Sequence, residues 1–526
     1  MMVATLGNVT TTDTYDAIVL GGGPNGLICG SYLAKAGARV LLVERRHETG
    51  GGLNTDEYFG FRLNLHAIYH MMSDVMPAYR DLALPDYGLR YVYPHVACAF
   101  PFDDGRALCF TKDPEETIAS IATVSEHDAG VFRRMWTEFQ PMLEQYIIPL
   151  TYRLPLPVVD QVVEIGETEI GERLNEISDL GPIEILDHYG FTDPRVRMAL
   201  LSFPAMWGFH LEDPLGYLYP VYLCRMIAAG LVKGGSHRLS SALYRVFVGH
   251  GGEILDGSEV TDIELDGSGA AVAIEVADGH RFESRAIAST LNPEQTFLQL
   301  VGADNLPSDL RHAVEPWEWE ERTLFGLHLG VEGDATHRHP EARVGDAMIA
   351  FLGLETEDDL HEHLERVDSG TAGGGEWVHV TVPSRHDRTM APAGHEIVRA
   401  EQVVLYDDDW SADGMARFGD ECLELIERHM DLGRIVLRRE YPPTHVEAKL
   451  HTMKRGSIKH GSYTNLQMGF NRPNDQCSRV ETPIPGLFTC GASNYAGGMI
   501  IGGPGYLGAQ VVGEALGLDV TGGSTR

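Results

Sequence analysis

The sequence predicts a mixed α/β plus α+β architecture, in which an α/β domain with a parallel sheet is assembled from separated parts of the chain. Three observations predict it. Residues 15–44 combine two apolar runs, a glycine-rich turn and a helical pattern. Residues 258–289 alternate between apolar and polar positions, as in a small antiparallel sheet followed by a further strand. Residues 486–516 again contain a strand, a glycine-rich turn and a helical pattern.

The first of these segments has the features of a nucleotide-binding βαβ unit. Its turn reads Gly21-x-Gly23-x-x-Gly26, and Glu44 ends the second apolar run. Gly21 permits the tight turn, Gly23 lets the backbone approach a pyrophosphate, and Gly26 lets the helix pack on the strand. The helix over residues 25–36 directs its positive end at the phosphates, and Glu44 accepts hydrogen bonds from the ribose. Strand, turn, helix and acid together predict a dinucleotide site rather than an ordinary βαβ unit.

The residues after Glu44 distinguish between dinucleotides. Arg45 follows the acid, and residues 50–53 read Gly-Gly-Gly-Leu. A Glu-Arg pair, a short spacer and a glycine cluster resemble the extended fingerprint of flavin-dependent oxidases and desaturases. In that fingerprint the glycines, here Gly51 and Gly52, let the chain cross beside the flavin. A plain glycine-rich loop is the alternative, and the resemblance favours FAD as the cofactor.

The composition limits the classes of partner and compartment. The 526 residues suffice for two or more domains. The formal net charge of -35 at pH 7 argues against nucleic acid and against contact with an anionic membrane. We read no signal peptide at the amino terminus and no apolar run of about 18 residues, so we expect a cytoplasmic protein without a membrane span. The seven cysteines form no close pair, which argues against a redox-active disulfide or a metal site.

The order of the elements predicts the division into domains. Residues 1–14 are expected to form a flexible tail. The nucleotide-binding domain is expected to comprise residues 15–76, 231–300 and 471–526, and a substrate-binding or cap domain residues 77–230 and 301–470. The local patterns predict short strands at residues 89–93 and 107–111, helices at 128–145 and 239–249, and acidic loops at 355–359 and 373–375.

Together, the amino-terminal unit, the segment from Lys233 to Glu253 and the carboxy-terminal glycine-rich turn resemble the flavin-containing amine oxidase superfamily, and most closely its phytoene desaturase branch. The segments Pro383-Ser-Arg-His-Asp387 and Ala391-Pro-Ala-Gly394-His395 also resemble that branch. The resemblance implies a Rossmann-like (GR2-type) FAD-binding domain. Carried over position by position, the family's cofactor contacts fall on Gly21, Gly23, Gly26, Glu44, Arg45, Gly51, Gly52, Val260, Gly491, Gly498, Met499 and Ile500.

The chain departs from that branch after the flavin-side loop. His66 stands where the family usually has a glycine, and Asn64 where it has an acid. His66 and His70 are candidate catalytic residues, since imidazole titrates near neutrality, and Tyr495 is a third. Structural histidines and a packed tyrosine are the alternatives. Apolar and aromatic positions in the cap, Trp207, Phe209 and His210, are candidate substrate contacts or ordinary core.

Four functions remain open at this point. The leading one is an FAD-dependent dehydrogenase, desaturase or oxidase that transfers hydride from an apolar or unsaturated small molecule to flavin N5. A second complete nucleotide unit is not found, so oxygen or a quinone is the expected electron acceptor. The alternatives are a non-redox isomerase or hydratase that uses reduced FAD, an amine oxidase, and a flavin-binding protein without turnover. The sequence does not determine the oligomeric state, and a homo-oligomer is one option.

Overall fold

The structure, a computed structural model, describes residues 14–520. Apart from Thr14, which begins the first strand, the predicted tail lies outside the described residues. The strands are β1 (Thr14–Leu20), β2 (Val40–Val43), β3 (Thr55–Tyr58), β4 (Phe61–Asn64), β5 (Tyr91–Val92), β6 (Val96–Pro101), β7 (Ala107–Thr111), β8 (Leu231–Val232), β9 (Glu253–Leu255), β10 (Val260–Leu265), β11 (Ala271–Val276), β12 (Arg281–Ser289), β13 (Arg322–Glu332), β14 (Thr336–His337), β15 (Ile349–Leu352), β16 (Val378–Thr381), β17 (His395–Leu405), β18 (Met430–Asp431), β19 (Arg434–Tyr441) and β20 (Leu487–Thr489).

Helices cover both sheets and form most of the segment between β7 and β8. Within the described residues none of them combines the length and the apolar composition needed to cross a bilayer. The α-helices are α1 (Pro24–Lys35), α2 (Pro77–Asp81), α3 (Pro114–Ala122), α4 (Glu126–Met142), α5 (Ile148–Thr151), α6 (Val158–Ile165), α7 (Glu169–Ser178), α8 (Pro182–Tyr189), α9 (Pro194–Ala205), α10 (Met226–Ala228), α11 (His237–Gly249), α12 (Ser308–Val314), α13 (Ala342–Asp346), α14 (Glu357–Asp368), α15 (Pro383–His386), α16 (Ala412–His429), α17 (Pro443–Lys449) and α18 (Gly503–Leu516).

The first seven-stranded sheet takes its strands from three separated parts of the chain. Its order is β10-β11-β12-β1-β2-β9, and β20 pairs with β12. Strand β1 is parallel to both β2 and β12, and β12 is parallel to β20. The parallel strands β1 and β2 are almost wholly apolar and buried because α1 and α11 cover the sheet. The expected α/β domain is thus assembled as a parallel sheet extended by an antiparallel arm.

The second seven-stranded sheet has the order β19-β13-β17-β16-β15-β6-β7. It joins strands from residues 96–111 to strands from residues 322–441. Its long strand β13 pairs antiparallel with β17 and with β19. One face of β13 presents Phe325, Leu327 and Leu329 to a core that includes residues of α16. Residues 114–228 are largely helical and share a second core with β6 and β7. The mixed α/β plus α+β architecture is therefore confirmed. Because the strand pairings divide the chain into two sheets, we propose two domains with the bounds predicted from the sequence.

One local prediction is wrong. Residues 355–359, expected as an acidic loop, contain the start of α14. The side chain of Thr356 accepts the backbone N–H of Asp359, and the carboxylate of Asp359 accepts the backbone N–H of Thr356, which forms a capping box. The acidic first turn of α14 is favourable at the positive end of a helix. The charges that suggested a loop are therefore helix-initiating residues.

Candidate functional site

A large cleft runs between the two sheets. It encloses about 2070 Å³ of space free of protein atoms, the open mouth included. Residues from β1 and β2 line one end, and residues from β13 and β17 line the other. The cleft therefore extends from the parallel strands of the first sheet to strands of the second sheet.

Each glycine of the first turn has a different environment. A Cβ at Gly26 would lie 2.0 Å from the carbonyl oxygen of Gly21, so Gly26 is needed for the helix to pack on the turn. Gly21 has a φ of 96°, a conformation that favours glycine. A Cβ at Gly23 would meet no protein atom within 4 Å. Gly21 and Gly23 line the cleft, and the space beside Gly23, at the N-cap of α1, is suited to a pyrophosphate.

Glu44 lies at the carboxyl end of β2 and lines the cleft. The backbone N–H of Gly22 donates to its Oε2 at 2.8 Å, and the backbone N–H of Arg46 donates to its Oε1 at 2.9 Å. The two amides fix the carboxylate at the position where the sequence predicts a ribose contact. The hydrogen bond from Gly22 thus ties the glycine turn to the acid at the end of β2.

The flavin-side residues lie along the same wall. Arg45, Gly51, Gly52 and Val260 all line the cleft. Gly51 has a φ of 51°, and a Cβ there would approach the Cα of Gly23 to 3.3 Å, so the loop and the first turn are in close contact. Val260 lies at the start of β10, next to cleft-lining residues 258 and 259. The predicted cofactor residues of this wall are therefore brought together.

The carboxy-terminal turn contributes a further part of the lining of the cleft. Gly498, Met499 and Ile500 line it. The backbone N–H of Gly498 donates to the hydroxyl of Tyr463 at 2.8 Å, while Met499 and Ile500 have φ values of 63° and 58°. Gly491 does not line the cleft. A Cβ there would lie 2.2 Å from the carbonyl oxygen of Thr290, so its glycine is required for packing.

These features fit a flavin-type dinucleotide. An open space faces Gly23, an acid is held by two amides, and two glycine-rich segments approach the same cleft. A dinucleotide site requires features of this kind, and an ordinary βαβ unit lacks them. The residues present therefore suit a cofactor of this kind.

Among the candidate catalytic residues, His66 lines the cleft. Its Nε2 is buried without a hydrogen-bond partner among the described residues. Burial, together with the nearby positive charges of Lys449 and Arg399, lowers the pKa of His66 to about 3. The imidazole is therefore neutral across the physiological range. A base with so low a pKa is weak, so His66 is better suited to contacting a ligand than to accepting its proton.

His70 and Tyr495 do not line the cleft. The Nδ1 of His70 lies 3.0 Å from the hydroxyl of Tyr91 and its Nε2 lies 3.3 Å from the hydroxyl of Ser236, and burial lowers the pKa of His70 to about 4. The hydroxyl of Tyr495 donates to the carbonyl oxygen of Leu150 at 2.7 Å. Both residues have the contacts of structural residues, so we do not carry them into the proposal below.

The three predicted substrate contacts separate in space. Trp207 lines the cleft, with its ring centroid 6.4 Å from that of Tyr69. Phe209 and His210 line a separate, small cavity among the helices. The ring of Phe209 packs against Tyr222 at 4.6 Å. Trp207 thus remains a candidate substrate contact, whereas Phe209 and His210 do not adjoin the cleft.

Known proteins resemble this chain over part or nearly all of its length. Residues 19–83 match the family described as an NAD(P)-binding Rossmann-like domain. The chain is 39% identical over 527 residues to one of the subunits of limonene dehydrogenase from Castellaniella defragrans, and the match covers 96% of this chain and 95% of that protein. The chain belongs to the phytoene desaturase-like oxidoreductases of the flavin-containing amine oxidase superfamily.

More distant proteins share part of the sequence or the fold. The chain is 23% identical over 485 residues to 4,4'-diaponeurosporene oxygenase of Staphylococcus aureus, covering 85% of this chain and 88% of that one. Wild-type putrescine oxidase bound to putrescine has the same fold, with a TM-score of 0.56 and 15% identity over 96% of this chain and 99% of that one. The phytoene desaturase-like protein is therefore an oxidoreductase with a flavin-type dinucleotide cofactor, and the predicted oxidoreductase function is confirmed.

Sequence reasoning missed a buried ion pair at the end of this phytoene desaturase-like cleft that the second sheet bounds. The guanidinium of Arg399 donates to Oε2 of Glu401 at 2.7 Å and to the carbonyl oxygens of Asn64 at 3.1 Å and His66 at 2.8 Å. Burial alone would raise the pKa of Glu401, but Arg399 and a hydrogen bond from His379 lower it to about 2. Arg399 thereby anchors the loop that carries His66. Two opposite charges at alternate positions of β17, among Ile397, Val398, Ala400 and Val403, were the available signal.

Proposed function

We propose that this protein binds FAD and oxidises an apolar, unsaturated small molecule of the cyclic alkene class, such as limonene. The observation that carries the proposal is the continuity of one cleft from the dinucleotide wall at Gly23 to an apolar end bounded by the second sheet. The whole-length likeness to a protein of limonene dehydrogenase supports the choice of substrate class.

FAD is favoured over other dinucleotides by the residues that follow Glu44. Arg45, Gly51 and Gly52 continue the cradle beyond the adenosine end, toward the turn at Gly498. A nicotinamide dinucleotide would not require this second glycine-rich approach. Bound there, FAD supplies a two-electron acceptor that takes hydride at N5.

The chain's own contribution is to bind and orient the substrate and to exclude water. Leu65, Ile68, Met71, Leu324 and Ile458 give the far end of the cleft an apolar lining. An alkene binds there by burial of its surface, worth about 25 cal/mol for each Å² removed from water. The neutral imidazole of His66 adds a polar contact without introducing a charge.

An anaerobic panel tests the proposal. Purified yellow protein is mixed with limonene, with its saturated counterpart p-menthane and with a cyclic amine of similar size, and the flavin absorbance is followed. We expect bleaching with limonene alone. Oxygen or a quinone is then added to identify the acceptor, which we propose because a single complete nucleotide unit occurs in the sequence.

Each other outcome of the panel selects an alternative. Bleaching with the amine but not with limonene would support an amine oxidase. Conversion of limonene by dithionite-reduced protein alone would support a non-redox isomerase or hydratase. Bound FAD that no compound reduces would support a flavin-binding protein without turnover. Protein that takes up no FAD on reconstitution would contradict the whole proposal.

A further inference from the structure

Gly326 occupies an unusual place in the second sheet. It lies in the interior of β13, buried, and lines the cleft. A glycine inside a strand weakens the strand and often marks a point where a ligand or another backbone approaches closely. In an antiparallel sheet, directly opposite residues project from the same face. Gly326 pairs with Glu401 of β17 on one side and with Tyr441 of β19 on the other. The row Tyr441, Gly326, Glu401 therefore faces the cleft with a gap at its centre.

Protein packing does not require a glycine at position 326. A Cβ there would lie 3.5 Å from Nε2 of His328 and 3.8 Å from the Cβ of Tyr441, which are ordinary contacts. Gly330, four residues along the same strand, is different. A Cβ at Gly330 would lie 2.9 Å from the ring of Phe61 and 3.0 Å from the Cβ of Leu437. Gly330 is thus explained by its protein neighbours, whereas Gly326 leaves its space on the side of the cleft.

The residues on either side of the gap are held firmly. Both oxygens of Glu401 face hydrogen-bond donors, Arg399 and His379, so the carboxylate cannot turn into the gap without losing them. The ring of Tyr441 packs against His328, with 4.9 Å between ring centroids, and against His445 at 5.0 Å. Rigid flanks mean that the width of the gap is a fixed property of the cleft, and that its depth depends on the absence of a side chain at position 326.

We propose that Gly326 allows the cleft to admit a substituted six-membered ring, which lies over its Cα between Tyr441 and Glu401. This inference rests on the proposed function for the substrate class, cyclic alkenes. Added methyl groups at position 326 shorten the cavity toward the sheet. They therefore discriminate against a substituted ring and leave a bare ring unaffected.

The test measures binding of compounds without an allylic C–H, so that it does not depend on turnover. The holoenzyme and its Gly326→Ala and Gly326→Val variants are titrated with p-menthane, the saturated skeleton of limonene, and with cyclohexane, using the perturbation of the flavin spectrum or tryptophan fluorescence. Overpacking usually costs enough to weaken binding by about fivefold or more. We expect p-menthane affinity to fall stepwise from wild type through Ala to Val, with cyclohexane affinity constant.

Two comparisons keep the result interpretable. Gly326→Ala is expected to retain the melting temperature and flavin content of the wild type, whereas Gly330→Ala should lower the melting temperature and change the affinities for both ligands alike. Equal loss of both ligands in the Gly326 variants, or no loss of either, would overturn the inference, as would a wild type that does not bind p-menthane. Size discrimination at Gly326 in a protein that limonene fails to reduce would uphold the inference and contradict the proposed function alone.

Discussion

Single glycines in this protein perform distinct tasks that a motif alone does not separate. Gly23 and Gly26 belong to the same fingerprint, yet a Cβ at Gly23 projects into open space and a Cβ at Gly26 would lie 2.0 Å from a carbonyl oxygen. Gly23 also has an ordinary backbone conformation, with a φ of -68°. We therefore propose that Gly23 serves the cofactor, whereas Gly26 is needed for the packing of the fold.

The pair gives a matched prediction. Gly23→Val should yield folded protein with the melting temperature of the apoprotein but little bound flavin, because the new side chain occupies the space beside the helix N-terminus. Gly26→Ala should lower the melting temperature itself, since the helix must move away from the turn. Flavin content after purification and thermal unfolding of the flavin-free protein check both. A Gly23→Val variant that retains stoichiometric FAD would show that the pyrophosphate does not lie there.

Helix α18 contributes to the site as an element rather than through side chains. Its amino-terminal turn packs on that of α1, where a Cβ at Gly505 would lie 2.4 Å from the carbonyl oxygen of Asn25. A Cβ at Gly508 would lie 2.4 Å from the Cβ of Cys490. The second GxGxxG expression in the chain, at 503–508, is thus a helix-packing surface. This surface joins α18 to α1 beside Asn25, which lines the cleft.

This packing predicts the effect of a larger residue. Gly505→Leu should separate α18 from α1 and reduce both the melting temperature and the flavin content, because overpacking of this kind typically costs about 1–3 kcal/mol. Glu514→Ala, on the exposed side of the same helix, serves as the control and should change neither quantity. Normal flavin content and stability in Gly505→Leu would be inconsistent with the close approach of the two helices.

Sequence patterns located the nucleotide elements well because their chemistry is local. Helix α1 begins and ends within a residue of its expected bounds. The turn residues and Glu44 could be found because they belong to one short stretch of sequence. The residues at the other end of the cleft could not be found from a local pattern. Glu401, Gly326 and Tyr441 meet only through the pairing of three strands, and no local pattern specifies that pairing.

The acidic loop that proved to be a helix start illustrates the same limit. Charge runs are ambiguous until a capping partner is known, and Thr356 was the informative residue. His70 and Tyr495 were drawn from their proximity in sequence to the flavin loop and turn, but their side chains point to other partners, Tyr91 and the carbonyl of Leu150. Proximity along the chain therefore predicted the wall of the cleft better than it predicted which side chains face into it.

The whole molecule carries several histidines that folding keeps neutral. Burial lowers the pKa of His66 to about 3 and those of His70 and His460 to about 4. An unfolded histidine binds its proton near about pH 6.5. Between about pH 6.5 and pH 4 the unfolded chain therefore binds more protons than the folded one, and acidification favours unfolding in this window.

The predicted consequence is a free energy of unfolding that falls as the pH is lowered from about 6.5 to 5, with a slope that approaches about 1.4 kcal/mol per pH unit for each histidine that stays neutral in the folded protein. Chemical denaturation at several pH values measures it. His70→Asn removes one such group and should reduce the slope by one proton. Stability that is constant or rises on acidification to about pH 5 would mean that these imidazoles are protonated in the folded protein.

At the scale of the whole protein, one cleft is proposed to hold a flavin at one end and to present a cyclic alkene to it at the other. The decisive experiment is the rate of flavin bleaching when the anaerobic, oxidised protein is mixed with limonene and with limonene deuterated at its allylic positions. We predict bleaching with both, slower with the deuterated compound because that C–H bond breaks as the hydride leaves. A flavin that stays fully oxidised with limonene, while the protein still binds it, would contradict this proposal.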